Sequence, residues 1–108
     1  MRLLPVDKKS LPLFKRLYFS AFPWREWKPL WLMRAGVRKG TVEMLAAEEA
    51  GFTGLAVTML HGNAVLLDFL AVAPERRGTG AGAEILRLLR ERYPGKRILL
   101  EIEPPDLP

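Results

Sequence analysis

Arg77-Gly78-Thr79-Gly80-Ala81-Gly82 is the stretch of this 108-residue chain whose residue types and spacing are best suited to chemistry. It follows the apolar run Leu66-Leu67-Asp68-Phe69-Leu70-Ala71-Val72-Ala73 and the link Pro74-Glu75-Arg76. It leads directly into Ala83-Glu84-Ile85-Leu86-Arg87-Leu88-Leu89. The order predicts a buried strand, a short charged connection, a glycine-rich turn and then a helix. A helix that begins in this way offers unpaired backbone N–H groups and the positive end of its dipole. Both suit a phosphate or a diphosphate. Glycines at alternate positions let the main chain come close to the anion, and Arg77 adds a fixed positive charge. Two familiar nucleotide patterns are not met. Gly78, Gly80 and Gly82 do not have G-x-G-x-x-G spacing, and no Gly-Lys-Ser/Thr follows. The chain has no cysteine, which removes disulfides, thiolate metal ligation and a cysteine nucleophile. The lone His61, in the turn His61-Gly62-Asn63, cannot build a histidine metal site, so no metal is expected.

The elements that must hold this turn can be read from the remaining residues. Residues 2–6 are a short apolar segment and predict a first strand, closed by Asp7-Lys8-Lys9. Ser10 is placed to cap the next helix, with Pro12 tolerated in its first turn. Leu13, Phe14, Leu17, Tyr18 and Ala21 recur at three- and four-residue spacing and give that helix one apolar face. Phe22-Pro23 ends it. Trp24-Arg25-Glu26-Trp27-Lys28-Pro29 connects to a second helix carrying Leu30, Met33, Arg34 and Val37 and ending near Gly40. Trp24, Trp27 and Trp31 are expected to anchor this helical pair on the sheet. Residues 41–49 and 52–60 are apolar runs separated by Ala50-Gly51 and predict an antiparallel hairpin. A third run over residues 64–73 is apolar on both faces, as in a sheet covered by helices on both sides. Beyond the glycine turn, Gly82, Ile85, Leu86, Leu89 and Tyr93 share one helical face, and Pro94-Gly95 stops the helix. Residues 97–103 predict a last strand, parallel to the one before through a right-handed crossover. The order β-α-α-β-β-β-α-β describes one α/β domain over residues 1–108 with a mixed sheet.

Composition agrees with one core: 49% of the residues are hydrophobic. There is no secretory pattern and no apolar run long enough to cross a bilayer, so a soluble, cytoplasmic protein without a membrane partner is expected. A formal net charge of +5 and a pI near 10.0 raise the question of nucleic acid. The basic residues are scattered among carboxylates and no nucleic-acid motif is visible, which disfavours that partner. A basic surface fits any polyanion equally well.

The run from Arg77 to Gly82 resembles the coenzyme A signature of the GNAT-type N-acyltransferase superfamily, R/Q-x-x-G-x-G/A, at every defined position. Phe69-Leu70-Ala71-Val72-Ala73-Pro74-Glu75 is similar to that family's fourth strand and its exit. The resemblance implies the acyl-CoA N-acyltransferase fold and acetyl-CoA as co-substrate. It also implies transfer of an acetyl group, by direct attack, to a primary amine of a small molecule or peptide. In the family the pantetheine arm lies between splayed fourth and fifth strands. Carried over, Leu70, Ala71 and Val72 line the arm, with backbone hydrogen bonds from Leu70 and Val72. The amides of Gly78, Thr79, Gly80, Ala81, Gly82 and Ala83, with the Arg77 side chain, hold the diphosphate. Trp24 and Trp27 fall in the region that borders the acceptor cleft. The family continues beyond the fifth strand with a helix and a β-hairpin, so this chain is expected to be a truncated form of the fold. The apolar edge Ile98-Leu99-Leu100-Glu101-Ile102 would then allow a homodimer or a domain-swapped pair.

Acetyl transfer to an amine needs a base, because an amine of pKa near ~10 is mostly protonated at neutral pH. Asp68, Glu101 and Glu26 are the carboxylates expected to serve, each with the plainer alternative of a structural ion pair. A main-chain N–H near Leu70 or Val72 would polarise the thioester carbonyl. The family commonly protonates the leaving thiolate with a tyrosine after the fifth strand, and neither Tyr18 nor Tyr93 matches that position. A coenzyme-A-binding regulatory module without turnover is therefore the alternative function.

Overall fold

The apolar runs between residues 42 and 72 form the middle of a five-stranded sheet whose spatial order is the chain order, β1-β2-β3-β4-β5. The computed structural model describes residues 1–100. Its elements are β1 (Arg2–Pro5), α1 (Leu11–Ala21), α2 (Leu30–Lys39), β2 (Val42–Glu48), β3 (Phe52–His61), β4 (Ala64–Val72), α3 (Ala81–Arg92) and β5 (Arg97–Leu100). The first four strands pair antiparallel; β5 joins β4 in parallel, with α3 as the crossover. This is the mixed sheet and element order expected from the sequence.

Each face of the sheet carries its own apolar cluster, because strand residues alternate between faces. On one face Phe14, Leu17 and Tyr18 of α1 and Met33 of α2 pack on Met44, Leu55, Val57, Phe69 and Ala71. On the other, Ile85, Leu89 and Tyr93 pack on Leu45, Ala47, Ala56, Val65 and Leu67. Phe14 and Tyr18 are completely buried, and losing a ring of this kind costs about 3–5 kcal/mol. Leu13, expected on the same helical face, is instead 42% exposed. The buried stripe is Phe14, Leu17 and Tyr18, and a residue one step before it lies past the stripe's edge.

Two further expectations are corrected. Ser10 is already in helical conformation and makes no side-chain cap bond to α1. Asp7 does the capping one turn earlier: its carboxylate accepts the N–H of Lys9 at 3.0 Å and of Ser10 at 2.9 Å. Trp24 and Trp31 are 69% and 70% exposed and anchor nothing. The ring contacts that seat α1 on β4 are Tyr18 and Phe22 against Phe69, both with centroids 5.0 Å apart. Trp27 does pack, edge-on against Phe19 at 4.8 Å, with Nε1 donating to Phe22 O at 2.7 Å.

Strand β4 contains one residue too many for its partner. Val57 faces Phe69 while Thr58 faces Leu67, so Asp68 is the extra residue of a β-bulge. The bulge reverses the alternation of faces. Val65 and Leu67 enter the α3-side cluster, whereas Phe69 and Ala71 enter the α1-side cluster. Across from this region, a Cβ on Gly54 would lie 2.5 Å from Ala71 O and 3.1 Å from Ile85 Cδ1. Gly54→Ala should therefore push β3, β4 and α3 apart and destabilise the fold by about 1–3 kcal/mol. Urea unfolding reads this directly, and an unchanged midpoint would show that the three elements separate without cost.

Candidate functional site

Between β4 and α3 the chain makes a single 3-10 turn, Pro74–Arg76, then passes through Arg77 to Gly80. Gly78 and Gly80 have φ of +79° and +83°, a region that L side chains rarely adopt. Gly80 is the N-cap of α3 and has no side chain with which to cap it. The first backbone bond of the helix runs from Glu84 N–H to Gly80 O at 3.1 Å. Among the described residues the N–H groups of Gly78, Thr79, Gly80, Ala81, Gly82 and Ala83 find no backbone or side-chain acceptor. They form a row of donors at the positive end of a 12-residue helix. All six expected diphosphate contacts thus belong to one unpaired series.

Two guanidinium groups flank the row. Arg76 donates to Glu49 O at 2.9 Å and Ala50 O at 3.0 Å, tying the 3-10 turn to the β2–β3 turn. Arg77 donates Nε to Val72 O at 3.2 Å. Neither forms an ion pair with a carboxylate among the described residues. The nearby acid Glu84 is engaged by Arg87, whose hydrogen bonds hold its carboxyl below the ordinary value. The local balance is therefore positive.

The edge of β4 that leads away from the donors has a definite polarity. Ala73 N–H bonds Thr53 O at 2.8 Å, so residue 73 directs its polar groups toward β3. By alternation Leu70 and Val72 direct theirs to the opposite edge, in agreement with Val72 O meeting Arg77. Among the described residues β5 pairs with β4 only from Ala64 to Leu67. At the bulge, Asp68 Oδ2 lies 2.6 Å from Lys28 Nζ, with the carboxylate side chain 12% exposed and the lysine 41%. Tyr18 OH fixes the Lys28 backbone, accepting its N–H at 2.7 Å and donating to its C=O at 3.4 Å. Trp27 is the residue before Lys28 on the same segment. Glu26 is exposed in the 3-10 turn Trp24–Glu26 and makes no side-chain hydrogen bond or ion pair among the described residues. Glu101, and with it the continuation of the β5 edge, lies outside the described residues.

Neither described tyrosine has an idle hydroxyl. Tyr18 OH serves Lys28, and burial raises its pKa above the ordinary value. Tyr93 OH bonds Glu43 and lies 2.8 Å from Thr58 Oγ1. Arg92 closes the network on Glu43 at 3.1 and 2.7 Å, pinning the end of α3 to β2. Composition and spacing did not single out this network; the polar residues Glu43 and Thr58 inside apolar strands were its signal. Burial, then the Glu43 hydrogen bond, push Tyr93 up to about 12 from 10.0. Because the folded value is the higher one, this contribution to stability is complete below pH 10 and disappears as the pH rises toward 12. Glu43 is shifted the other way, chiefly by Arg92, so its contribution is present at neutral pH and lost on acidification. Tyr93→Phe should flatten the alkaline limb of a stability–pH curve measured by urea unfolding. A limb as steep as in the wild type excludes Tyr93 as its source.

A cavity of about 710 Å³ lies elsewhere. It lies at the opposite end of the sheet, between Lys8, Leu11, Arg34, Arg38, Val42 and Leu60.

No protein-family model matches the chain, and no curated protein matches it. Solved structures do. A protein ascribed to the GNAT acetyltransferase family from Bacteroides thetaiotaomicron superposes with a TM-score of 0.83 over 99% of this chain, at 22% identity. The chain spans 63% of that protein's length. A protein from Agrobacterium tumefaciens ascribed to the acetyltransferases gives 0.77 over 98% of the chain and 84% of its own length, at 18% identity. Spermidine N-acetyltransferase from Vibrio cholerae, solved with CoA and spermine, gives 0.69 over 85% of the chain and 62% of its own length, at 13% identity.

Proposed function

Proceeding from a chain that has the fold of the GNAT acetyltransferases, we propose that it binds acetyl-CoA and transfers the acetyl group to a primary amine of a small molecule or peptide. The observation that carries this reading is the row of six N–H donors from Gly78 to Ala83 without an acceptor among the described residues, preceded in the chain by Arg76 and Arg77. No capping side chain has to be displaced for these donors to meet a diphosphate, which supports the reading. Leu70 and Val72 present backbone groups along the edge from that row to Asp68, suited to the amides of the pantetheine arm.

Bound acetyl-CoA supplies an activated acetyl group as a thioester. The chain supplies the rest. Asp68 holds and deprotonates the acceptor amine at the bulge. A main-chain N–H of the outer β4 edge donates to the carbonyl oxygen as charge develops on it. The amine nitrogen forms the new C–N bond as the C–S bond breaks, and the second amine proton passes to the departing thiolate, which leaves as the CoA thiol. Two aromatic side chains near the bulge, Phe22 and Trp27, give the acceptor an apolar border on the side where Lys28 enters. The spermine and CoA named for the Vibrio cholerae structure support a small amine as acceptor class.

Calorimetric titration with CoA and acetyl-CoA, followed by a thiol-release assay against a panel of polyamines, aminoglycosides and peptides, tests the proposal. Micromolar binding with amine-dependent thiol release is expected. Absence of binding overturns it. Binding without release from any amine would identify a coenzyme-A-binding module, a reading favoured by the occupation of both described tyrosine hydroxyls.

A further inference from the structure

One amine already occupies the position that this function assigns to the acceptor. Resting on the coenzyme reading above, we infer that Lys28 is an acceptor within the chain: the protein acetylates its own Lys28 Nζ.

Three observations point there. The first is chemical. Lys28 Nζ is 2.6 Å from Asp68 Oδ2, and Asp68 is the bulged residue of β4, skipped in the register with β3. Lys8, Lys9, Lys15, Lys39 and Lys96 have no carboxylate in ion-pair contact among the described residues. Lys28 is thus the lysine whose amine sits on a candidate base. The second is mechanical. Tyr18, completely buried, fixes both the N–H and the C=O of Lys28, so the side chain is delivered from a held backbone. The third is reach. From Val72, beside the donor row, to Asp68 the strand advances by about 13 Å, along the edge where Leu70 and Val72 direct their backbone groups. A thioester arm that follows that edge over this distance reaches the bulge, where Lys28 Nζ lies.

The step balances without another reactant. Asp68 takes one proton from the Lys28 ammonium and passes it to water. The free amine attacks the thioester carbonyl; the C–N bond forms and the C–S bond breaks. The second amine proton goes to the departing thiolate, which leaves as the CoA thiol. The product, an N-acetyl-lysine, carries no charge, so the ion pair is dissolved and the Asp68 carboxylate becomes available to an external amine.

The test incubates the full chain with acetyl-CoA and quantifies acetyl occupancy at each lysine by peptide mass spectrometry, with coenzyme affinity measured in parallel by calorimetry. Lys28 should be modified about 100-fold faster than Lys8, Lys9, Lys15, Lys39 and Lys96, the advantage of a positioned base. Its rate per chain should not depend on protein concentration. Asp68→Asn should lose that excess, and Lys28→Arg, which keeps a cation on Asp68, should leave no favoured site. If acetyl-CoA binds and Lys28 is modified no faster than the other lysines, the inference fails and the coenzyme reading stands. If acetyl-CoA does not bind, both fail. An undiminished excess in Asp68→Asn would assign the reaction to simple exposure and overturn the inference as well.

Discussion

Gly80→Val is expected to weaken binding of coenzyme A about 100-fold or more. Gly80 has a φ of +83°, and nothing lies within 4 Å of where its Cβ would be. The penalty is therefore conformational and not steric: a β-branched residue in the left-handed region is strained by about 1–2 kcal/mol. Open surroundings let the loop relax by rotating out of that region, so the fold survives. The rotation reorients the N–H groups on either side, which are the donors. Each hydrogen bond to a charged acceptor is worth about 1.5–3 kcal/mol, so misaligning two costs two decades of affinity or more. Gly82→Ala is the matched control. Its Cβ would meet Val72 Cγ2 at 3.7 Å, an ordinary contact, within the first turn of α3. Calorimetry should find its affinity within a few-fold of the wild type. Equal affinities for all three proteins would remove residues 78–83 from the coenzyme site.

What the sequence revealed and concealed follows from how each feature is encoded. The strand, glycine turn and helix were legible because they are contiguous: apolar run, glycines at alternate positions and the face containing Ile85 and Leu89 are all local patterns. The bulge at Asp68 was not. With apolar residues on both faces of β4, a reversal of alternation leaves no break in the pattern, and only the partner strand reveals the extra residue. The Lys28–Asp68 pair was hidden for a related reason, since it joins residues 40 apart in sequence. The tryptophans misled because size and apolarity do not say which way a ring faces; Trp24 and Trp31 face outward and Phe22 does the anchoring. Arg77 was read as a ligand for the diphosphate, and its Nε is turned back onto Val72 O. That bond ties the strand end to the turn. Exposed carboxylates such as Glu26 could not be ranked against Asp68 from composition. Burial separates them: the Asp68 carboxylate is mostly covered and touches an amine, whereas Glu26 is exposed.

Asp68→Asn is expected to lower kcat for transfer to an external amine by about 10²–10⁴-fold, the usual contribution of a positioned base. Asparagine has nearly the same shape and still accepts a hydrogen bond through its amide oxygen, so the bulge and the Phe69 packing beyond it should persist. The N–H donors at Gly78 to Ala83, proposed to hold the coenzyme, are untouched, and affinity for CoA should stay within a few-fold of the wild type. Loss of kcat with intact coenzyme binding would place Asp68 in proton transfer. A change confined to KM for the amine would instead limit it to holding the acceptor's charge. Glu26→Gln offers the contrast: exposed and without an ion-pair partner among the described residues, it should leave both parameters unchanged. If the two variants behaved alike, the carboxylate at the bulge would have no special part in the reaction.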